Sequence, residues 1–413
     1  MRAGDVILHA MAGKISWVQV EEVLGVSART VRRMRARFAK HGIWGLHDQR
    51  RRVPSLKRAD GVKVQEVLVL WRRYQGDHND FSVRHLYGIL KRDHGVTFSY
   101  SFVKNLVQSA GLAKRGRARG KHRKRRERRG CFGELLHLDG SRHEWLAHRP
   151  GEKQTMVVVV DDATGRLLYA QLWTAESTEA VMSALREVFV RYGLPQALYT
   201  DRASWAARTP KAGGPVDKSH PTQVARALER LGIEHILSYS PQARGRSERA
   251  NGTIQRRLVP ELRVAGIASV PEANRYLREK FLTAYDREFG RTAADPESGF
   301  VGVGQADLDE ILCHEEDRTV GRDNTVVLDN VRLQIEPQPG RRSCTGLTVT
   351  VRRHLDGSHS IWRGTQRLGR YGRTGRLLPE GALPPRRRSG PGRAPSIATA
   401  TAPAWKPGGQ ITC

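Results

Sequence analysis

The stretch that most constrains the fold is a helical segment within residues 240–257, which holds one carboxylate among many arginines. A proline and small residues precede the segment, and a helical apolar period continues beyond it. Glu248 is its single acidic residue, and Gly252 and Gln255 share its side of the helix, so this side is predicted to stay uncharged and open. The ordinary alternative is that a lone acid among arginines forms ion pairs on a solvated face.

Two short apolar segments upstream of this helix each end near an aspartate. Residues 134–141 predict a strand with Asp139 near its end, and residues 196–202 predict a second strand that closes on Asp201. Asp201 follows Asp139 by 62 residues, and Glu248 follows Asp201 by 47 residues. Three carboxylates at these positions would supply the hard oxygen ligands that Mg²⁺ prefers.

Two strand-terminal aspartates and a helical glutamate at these separations resemble the DDE triad of transposases and retroviral-type integrases, which is built on the RNase H-like fold. The local sequence is similar to the catalytic domain of bacterial insertion-sequence transposases of the ISNCY type. The similar segments are HLDGSRHEWL, VVVDDATGRLLYAQLW, LYTDRAS and SPQARGRSERANGTIQRRLVPELRVAGI. The resemblance extends from the N-terminal helices to about Arg370.

The resemblance implies an enzyme that binds the terminal inverted repeats of its element, cleaves DNA at the element ends and transfers the 3′-hydroxyl ends to target DNA. It assigns catalysis and metal binding to Asp139, Asp201 and Glu248, with two Mg²⁺ ions that Mn²⁺ can replace. Two such ions about 3.5–4 Å apart activate the attacking oxygen and stabilise the leaving one. Arg202 departs from the Asn-Gly that follows the second aspartate in many integrases, although related insertion-sequence transposases also have an Asp-Arg pair.

The charge of the chain indicates a polyanionic partner. A net charge of +29 and a pI near 10.8 are spread through helical and strand-like parts alike, so double-stranded DNA is the predicted partner. No run approaches the roughly 18 apolar residues of a membrane span, and the N-terminus lacks a secretory pattern. Four scattered cysteines predict neither a disulfide framework nor a zinc site. The expected location is the cytoplasm, on the nucleoid, with no membrane contact.

The predicted fold is multidomain, with N-terminal all-α helix-turn-helix units, a central α/β RNase H-like catalytic domain and a small C-terminal β-barrel. The expected divisions are a helix-turn-helix domain at 1–52, a second helical domain at 53–112, a basic linker at 113–130, the catalytic domain at 131–290, a β-rich domain at 291–378 and a disordered tail at 379–413.

Residues 15–42 predict a helix-turn-helix, with Ser16 as the first N-cap and Gly25 at the turn. Its second helix, residues 28–41, has the composition of a recognition helix, whose predicted DNA contacts are Arg29, Arg32, Arg33 and Arg37. The alternative is a basic surface helix without a role in DNA binding. Residues 61–110 predict three further helices, which form either a second DNA-reading unit or simply a packed bundle.

Two other regions are predicted to contact DNA. Residues 114–129 hold 11 Lys and Arg in 16 positions, a composition that cannot bury a face and that gains affinity for DNA by releasing counterions. The predicted contacts are Lys121, Arg123 and Lys124 in this linker, and Arg244, Arg246, Arg249 and Arg256 around Glu248.

Asp161 and Asp162 form a rival carboxylate pair, but they precede Ala-Thr-Gly between two predicted antiparallel strands. Asp and Gly favour turns, so both aspartates are assigned to a hairpin turn and left out of the site. His137 and His143 flank Asp139, and they are interpreted as ordinary strand histidines rather than metal ligands.

One active site processes one strand end at a time, whereas an element has two ends. A monomer or weak dimer in isolation and a homo-oligomer on terminal DNA are therefore expected. The rival function is a DNA-binding regulator that keeps the fold without cutting. The presence of all three acids favours the enzyme.

Overall fold

A computed structural model of the chain describes residues 3–47, 59–78, 80–115, 127–210, 214–217, 219–238, 245–304 and 307–379. The chain divides into two compact units, residues 1–118 and residues 119–413.

The first unit begins with three helices around a small apolar core that includes Val6, Val20 and Val31. The helices are α1 (Ala3–Met11), α2 (Trp17–Leu24) and α3 (Ala28–His41), followed by a 3₁₀ turn at Gly42–Leu46. The predicted limits of α2 and α3 are confirmed, whereas α1 was not foreseen.

Local hydrogen bonds explain why α2 begins and ends where it does. The Ser16 hydroxyl accepts the Gln19 backbone N–H, and the Gln19 side chain accepts the Ser16 backbone N–H, which completes a capping box. Gly25 ends α2 with a φ of 61°, in the left-handed region that favours glycine. The chain then turns into α3, as the sequence predicts.

Three further helices in the first unit form a bundle of their own. They are α4 (Gly61–Gln75), α5 (Val83–Asp93) and α6 (Tyr100–Ser109). Ser82 and Ser99 cap α5 and α6 as predicted. Trp71, Leu86 and Leu90 lie in the shared core, so packing accounts for the apolar pattern of this segment.

The second unit is built on a five-stranded mixed sheet. Its strands are β1 (Leu135–His143), β2 (Gln154–Asp161), β3 (Leu167–Trp173), β4 (Ala197–Thr200) and β5 (Glu234–Leu237). The spatial order is β3-β2-β1-β4-β5, with β1, β2 and β3 antiparallel and β1, β4 and β5 parallel. The predicted mixed α/β core is therefore confirmed.

Helices cover both faces of this sheet. One face packs on α7 (Thr178–Tyr192) and α8 (Gln223–Arg230). The other packs on α9 (Gly245–Val264), α10 (Val270–Tyr276), a π-helical turn at Leu277–Phe281 and α11 (Leu282–Phe289). A short helix, α12 (Leu308–Ile311), also contributes Leu308 to the first core, so residues beyond 290 still pack on the five-stranded sheet.

The C-terminal region differs from the predicted barrel. Its strands are β6 (His314–Thr319), β7 (Thr325–Leu328), β8 (Val331–Gln334), β9 (Thr348–Arg353), β10 (His359–Arg363) and β11 (Gln366–Tyr371). Among the described residues they form an open sheet in the order β11-β10-β9-β6 and a separate β7-β8 ribbon. Both sheets share one apolar core. The alternating pattern predicted the strands correctly, but alternation does not determine which edges pair, and the barrel prediction is wrong for this reason.

Within the described ranges, no helix is long and apolar enough to span a membrane. The predicted tail at 379–413 lies outside the described residues except for its first position, and most of the basic linker does as well.

Candidate active site

Asp139 lies in β1, on the face of the sheet that packs against α9. The strand alternates its side chains, so Leu136 and Leu138 enter the core under α7 while His137, Asp139 and Ser141 project to the other face. The Asp139 side chain is buried, with 5% of its surface exposed. A carboxylate buried this deeply needs polar partners, because isolated burial of a charge is costly.

Asn251 and Gln255, one turn apart on α9, supply contacts to this side of β1. Asn251 Nδ2 donates to Asp139 Oδ2 at 2.9 Å, and Gln255 Nε2 donates to the Ser141 hydroxyl at 2.9 Å. The spacing of four helical residues thus matches the two-residue spacing of side chains along one strand face. These two bonds fix both the position and the rotation of α9 over β1.

Asp201 follows directly after β4, the parallel neighbour of β1. The register pairs His137 with Tyr199. Continuing it by two residues places Asp201 beside Asp139 on the neighbouring strand. Asp201 Oδ1 accepts the Ala203 backbone N–H at 3.0 Å, which begins a tight turn. The sequence predicted an aspartate near the end of each strand. Asp201 does follow directly after β4, but Asp139 is the fifth of the nine residues of β1, so its predicted place near the end of a strand is wrong.

Arg202 and Trp205 hold the loop after Asp201. Arg202 donates to the backbone carbonyls of Ser238 and Gly214, each at 3.2 Å, and so ties the loop to the end of β5. Trp205 is buried, and its indole N–H donates to Glu176 Oε1 at 2.7 Å. Glu176 in turn lies against Gly140, where an added Cβ would come within 2.4 Å of its carboxylate. Arg202 therefore positions the loop, while Glu176 and Trp205 are supporting residues of the site that the sequence did not reveal.

Glu248 lies in the first turn of α9, three residues before Asn251. At about 100° per residue the two side chains leave the helix about 60° apart, and Gln255 lies about 20° from Glu248. Glu248 therefore leaves α9 on the same side as Gln255, one turn before the bond between Asn251 and Asp139. Its side chain is exposed, in contrast to Asp139.

The side chains of Asp139, Asp201 and Glu248 do not form a cluster that could hold a metal ion as they stand. Among the residues that the structure describes, no group of three or more His, Cys, Asp or Glu side chains is arranged to hold a metal ion. The donor types nevertheless suit Mg²⁺, which takes one or two carboxylates and completes its shell with waters and substrate phosphate. Asp139 within β1 and Asp201 directly after the adjoining strand β4 fit that requirement, and Glu248 lies in the first turn of α9.

The two aspartates of the β2–β3 connection form a turn, as predicted. Asp161 Oδ2 accepts the backbone N–H and the hydroxyl of Thr164 at 2.7 and 2.5 Å, and its Oδ1 accepts the Gly133 N–H at 2.9 Å. Burial raises the pKa of Asp161, and these hydrogen bonds oppose the rise. Asp162 is also buried, and it faces His137 rather than the predicted metal site.

Arg246, another predicted DNA contact, lies in a different environment from the exposed arginines. Its guanidinium is mostly buried, with Nε 2.6 Å from Asp162 Oδ1. Its charge is thus paired inside the second unit, and its contact with DNA stays a prediction. This pairing could not be foreseen from local sequence, since the two residues are 84 positions apart.

The other predicted DNA contacts divide into exposed residues and residues outside the described ranges. Arg29, Arg32, Arg33 and Arg37 are exposed on α3, and Arg249 and Arg256 are exposed on α9. Arg249 donates to the Gly245 carbonyl of its own helix at 2.9 Å. Lys121, Arg123, Lys124 and Arg244 lie outside the described residues. Their roles in binding DNA stay predictions.

Comparisons with known proteins agree with this architecture. A family described as helix-turn-helix domain matches residues 4–52. "Putative transposase y4bF" of Sinorhizobium fredii (strain NBRC 101917 / NGR234) is 31% identical over 366 residues, which cover 87% of this chain and 78% of that protein. The "Transposase for insertion sequence IS1202" of Streptococcus pneumoniae is 30% identical over 165 residues, 40% of this chain and 35% of that protein. The chain therefore belongs to the family of insertion-sequence transposases.

Two solved structures show similarity at low sequence identity. A chain of the simian T-cell lymphotropic virus intasome in complex with a PP2A regulatory subunit is 16% identical, with a TM-score of 0.31, over 68% of this chain and 92% of that chain. The HTLV-2 integrase catalytic core domain in complex with magnesium is 17% identical, with a TM-score of 0.28, over 36% of this chain and 87% of that chain.

Proposed function

We propose that the protein is a DDE transposase with an RNase H-like core, a polynucleotidyl transferase that cleaves DNA at the ends of its element and joins the 3′-hydroxyl ends to target DNA. Asp139, Asp201 and Glu248 are its catalytic carboxylates. The observation that supports the proposal is that Asp139 in β1 and Asp201 directly after β4 belong to two neighbouring interior strands of the sheet, with α9 bonded across β1 through Asn251.

Neighbouring groups of the chain orient the two aspartates for phosphodiester chemistry. Asn251 orients the buried Asp139 carboxylate, and the turn at Ala203 orients Asp201. Bound to the three carboxylates, Mg²⁺ would activate the attacking oxygen and stabilise the leaving oxygen. Arg256, whose guanidinium lies over Gly252 one turn beyond Glu248, is placed to meet the phosphate backbone near the scissile bond.

DNA binding is assigned mainly to the first unit. The exposed arginines of α3 follow a turn of helix-turn-helix type, so α3 is proposed to enter the major groove of the terminal repeat. The basic linker would add contacts that do not depend on sequence. Two ends must be joined, so at least two copies are proposed to assemble on paired terminal DNA, while the high positive charge keeps free copies apart.

The proposal is tested by incubating the full chain with duplex DNA from the ends of its element and a supercoiled target plasmid, in Mg²⁺ or in Ca²⁺. We expect Mg²⁺ to support nicking at the element end and covalent joining to the plasmid, with a larger complex on two-ended DNA by light scattering. Specific binding to the terminal DNA without any cleavage in Mg²⁺ or Mn²⁺ would instead identify a DNA-binding regulator.

A further inference from the structure

A buried charged network lies beside the candidate active site, and the chemistry described above does not use it. At its centre is Asp162, at the turn between β2 and β3, whose side chain is only 1% exposed. His137 Nε2 lies 2.8 Å from Asp162 Oδ1, and Arg246 Nε lies 2.6 Å from the same oxygen. The network thus joins three elements that are distant in sequence: β1, the β2–β3 turn and the first turn of α9.

The same network receives the end of the basic linker. The Arg129 backbone N–H donates to Asp162 Oδ2 at 2.8 Å, and Arg128 donates to the Asp162 carbonyl at 2.9 Å. Arg246 donates to the Glu127 carbonyl at 2.7 Å. Both oxygens of the Asp162 carboxylate therefore have partners, and Arg246 bridges the incoming chain and the turn.

The two residues that bind Asp162 Oδ1 each lie close in sequence to a proposed catalytic residue. His137 is two residues before Asp139 on the same face of β1, and Arg246 is two residues before Glu248 in the same turn of α9. Two helical residues correspond to a rise of about 3 Å, so a fixed Arg246 leaves little freedom for the backbone at Glu248. The bond between Asn251 and Asp139 fixes the next turn of the same helix.

We propose that Asp162, with Arg246 and His137, is a positioning group that sets the first turn of α9 and so places Glu248 opposite Asp139 and Asp201. This inference depends on the proposed role of Glu248. Without the network, Asn251 and Gln255 would still hold the later turns, but the turn that carries Glu248 would lose its ion pair with the β2–β3 turn. Cation binding should weaken as a result, while DNA binding and the fold remain.

The chain contains a matched control for this idea. Arg257 lies on the same helix, is as buried as Arg246 (13% of each side chain exposed) and pairs with Glu288 at 2.7 Å. It is nine residues beyond Glu248, about 14 Å along the helix. Arg257→Gln therefore removes an equally covered arginine from α9, although its partner Glu288 is 41% exposed, without touching the turn that carries Glu248.

The experiment compares Arg246→Gln, Asp162→Asn and Arg257→Gln in the full chain. Arg246→Gln leaves Asp162 its bonds from His137 and Arg129. This variant therefore still tests the positioning role if Asp162→Asn fails to fold. Mn²⁺ binding is measured without DNA from the loss of the free-ion electron paramagnetic resonance signal. The Mg²⁺ concentration for half-maximal cleavage and the melting temperature are measured in parallel.

We expect Arg246→Gln and Asp162→Asn to weaken Mn²⁺ binding and raise the Mg²⁺ midpoint by about 10-fold, as loss of groups that orient metal ligands usually does. Arg257→Gln should stay within about twofold of wild type. Arg246→Lys, which retains the charge opposite Asp162, should recover part of the loss. The KM for terminal DNA should not change, because Arg246 and Arg257 are mostly covered and their charges pair with acids of the protein itself.

Equal Mn²⁺ affinities for Arg246→Gln and Arg257→Gln, with equal falls in melting temperature, would overturn the positioning role. That failure is distinct from failure of the proposed function, which would show as a wild-type chain that never cleaves or a Glu248→Gln variant that cleaves normally. Because Mn²⁺ binding is read without DNA or turnover, it decides the positioning role in either case.

Discussion

Two arginine-rich helices, α3 and α9, use the same residue type in opposite ways. In α3 the arginines at 29, 32, 33 and 37 are exposed, and only Val31 is buried. In α9 seven residues are buried, and Arg246 and Arg257 are mostly covered and ion-paired with acids of other elements. Arg249 and Arg256 on α9 stay exposed.

The difference lies in the neighbours of each helix rather than in its composition. α3 packs on a small core through one narrow stripe, so its arginines point to water, where a phosphate backbone can replace the solvent. α9 lies across a sheet, and its arginines meet Asp162 and Glu288 there. We infer that α3 arginines bind an external polyanion, whereas the covered α9 arginines fix a helix that carries a catalytic acid.

The largest expected effect comes from the carboxylates beside α9. Asp139→Asn and Asp201→Asn should each reduce cleavage and joining by about 10³-fold or more, because metal-assisted charge stabilisation contributes several kcal/mol. Affinity for terminal DNA, measured by gel shift in Ca²⁺, should stay within a few-fold of wild type. If either variant cut DNA at the normal rate, that aspartate would not be a catalytic residue. The assignment of catalysis to the region beside α9 would then be wrong.

The next effect concerns sequence reading by α3. Arg29→Ala or Arg33→Ala should reduce the preference for terminal-repeat over random DNA by about 5- to 150-fold, the equivalent of roughly 1–3 kcal/mol for a base contact. Arg35→Ala is the matched control, because Arg35 lies on the same helix with its guanidinium over the Trp17 ring. Competition binding measures the preference. Equal losses on both DNAs would show that α3 is only a basic surface helix.

A smaller and purely electrostatic effect is expected from the linker. Replacing Lys121, Arg123 and Lys124 by Gln should weaken binding to terminal and random DNA alike. The slope of log affinity against log salt should fall in magnitude by about three, close to one unit for each phosphate that the variant no longer neutralises. Titrations at several salt concentrations on both DNAs measure this. An unchanged slope would exclude these three side chains from the DNA interface.

The smallest predicted effect is on the acid stability of the catalytic unit. Burial alone would raise the pKa of Asp162, but hydrogen bonds from His137 and the Arg129 N–H, together with the Arg246 charge, lower it to about 2. A lowered pKa stabilises the fold above the unfolded pKa, near 3.8, and this stabilisation is lost as pH falls toward 2.

Asp162→Asn should therefore be less stable than wild type by about 2 kcal/mol at pH 7, with the difference shrinking between pH 4 and pH 2. Urea denaturation at a series of pH values checks this, with Arg257→Gln as the comparison. A stability difference that did not change with pH would mean that the packing of the Asp162 side chain matters rather than its charge. The ion pair of Arg246 with Asp162 would then not be what stabilises α9.

Local signals in the sequence predicted much of the fold. Ser16 and Gly25 mark the ends of α2, and the two apolar runs of β2 and β3, separated by Asp161-Asp162-Ala163-Thr164-Gly165, predicted that hairpin. The missed helix α1 is nine residues long and lacks the cap and long apolar period that make a helix visible in sequence. The sequence could not show whether the C-terminal strands close into a barrel or form open sheets, because that depends on which strand edges pair.

The sequence assigned Asp139 and Asp201 to two strands and Glu248 to a helix, and the structure has them in β1, directly after β4 and in α9, but their catalytic role stays a prediction. The residues that support them could not be predicted. The bonds from Asn251 to Asp139 and from Trp205 to Glu176 join residues 112 and 29 positions apart. Arg246 was grouped with Arg249 and Arg256 as a DNA contact, because the amino-acid composition of a helix does not show which arginine pairs with a buried acid.

The most direct test of the division between the two helices measures binding and cleavage on the same terminal DNA for Arg33→Ala and Glu248→Gln. Arg33→Ala should bind with reduced preference for the repeat yet cut at a rate close to wild type once the DNA is saturated. Glu248→Gln should bind like wild type and cut at least about 10³-fold more slowly. A Glu248→Gln variant that cuts normally, or an Arg33→Ala variant that binds normally but cannot cut, would contradict the assignment of binding to α3 and catalysis to α9.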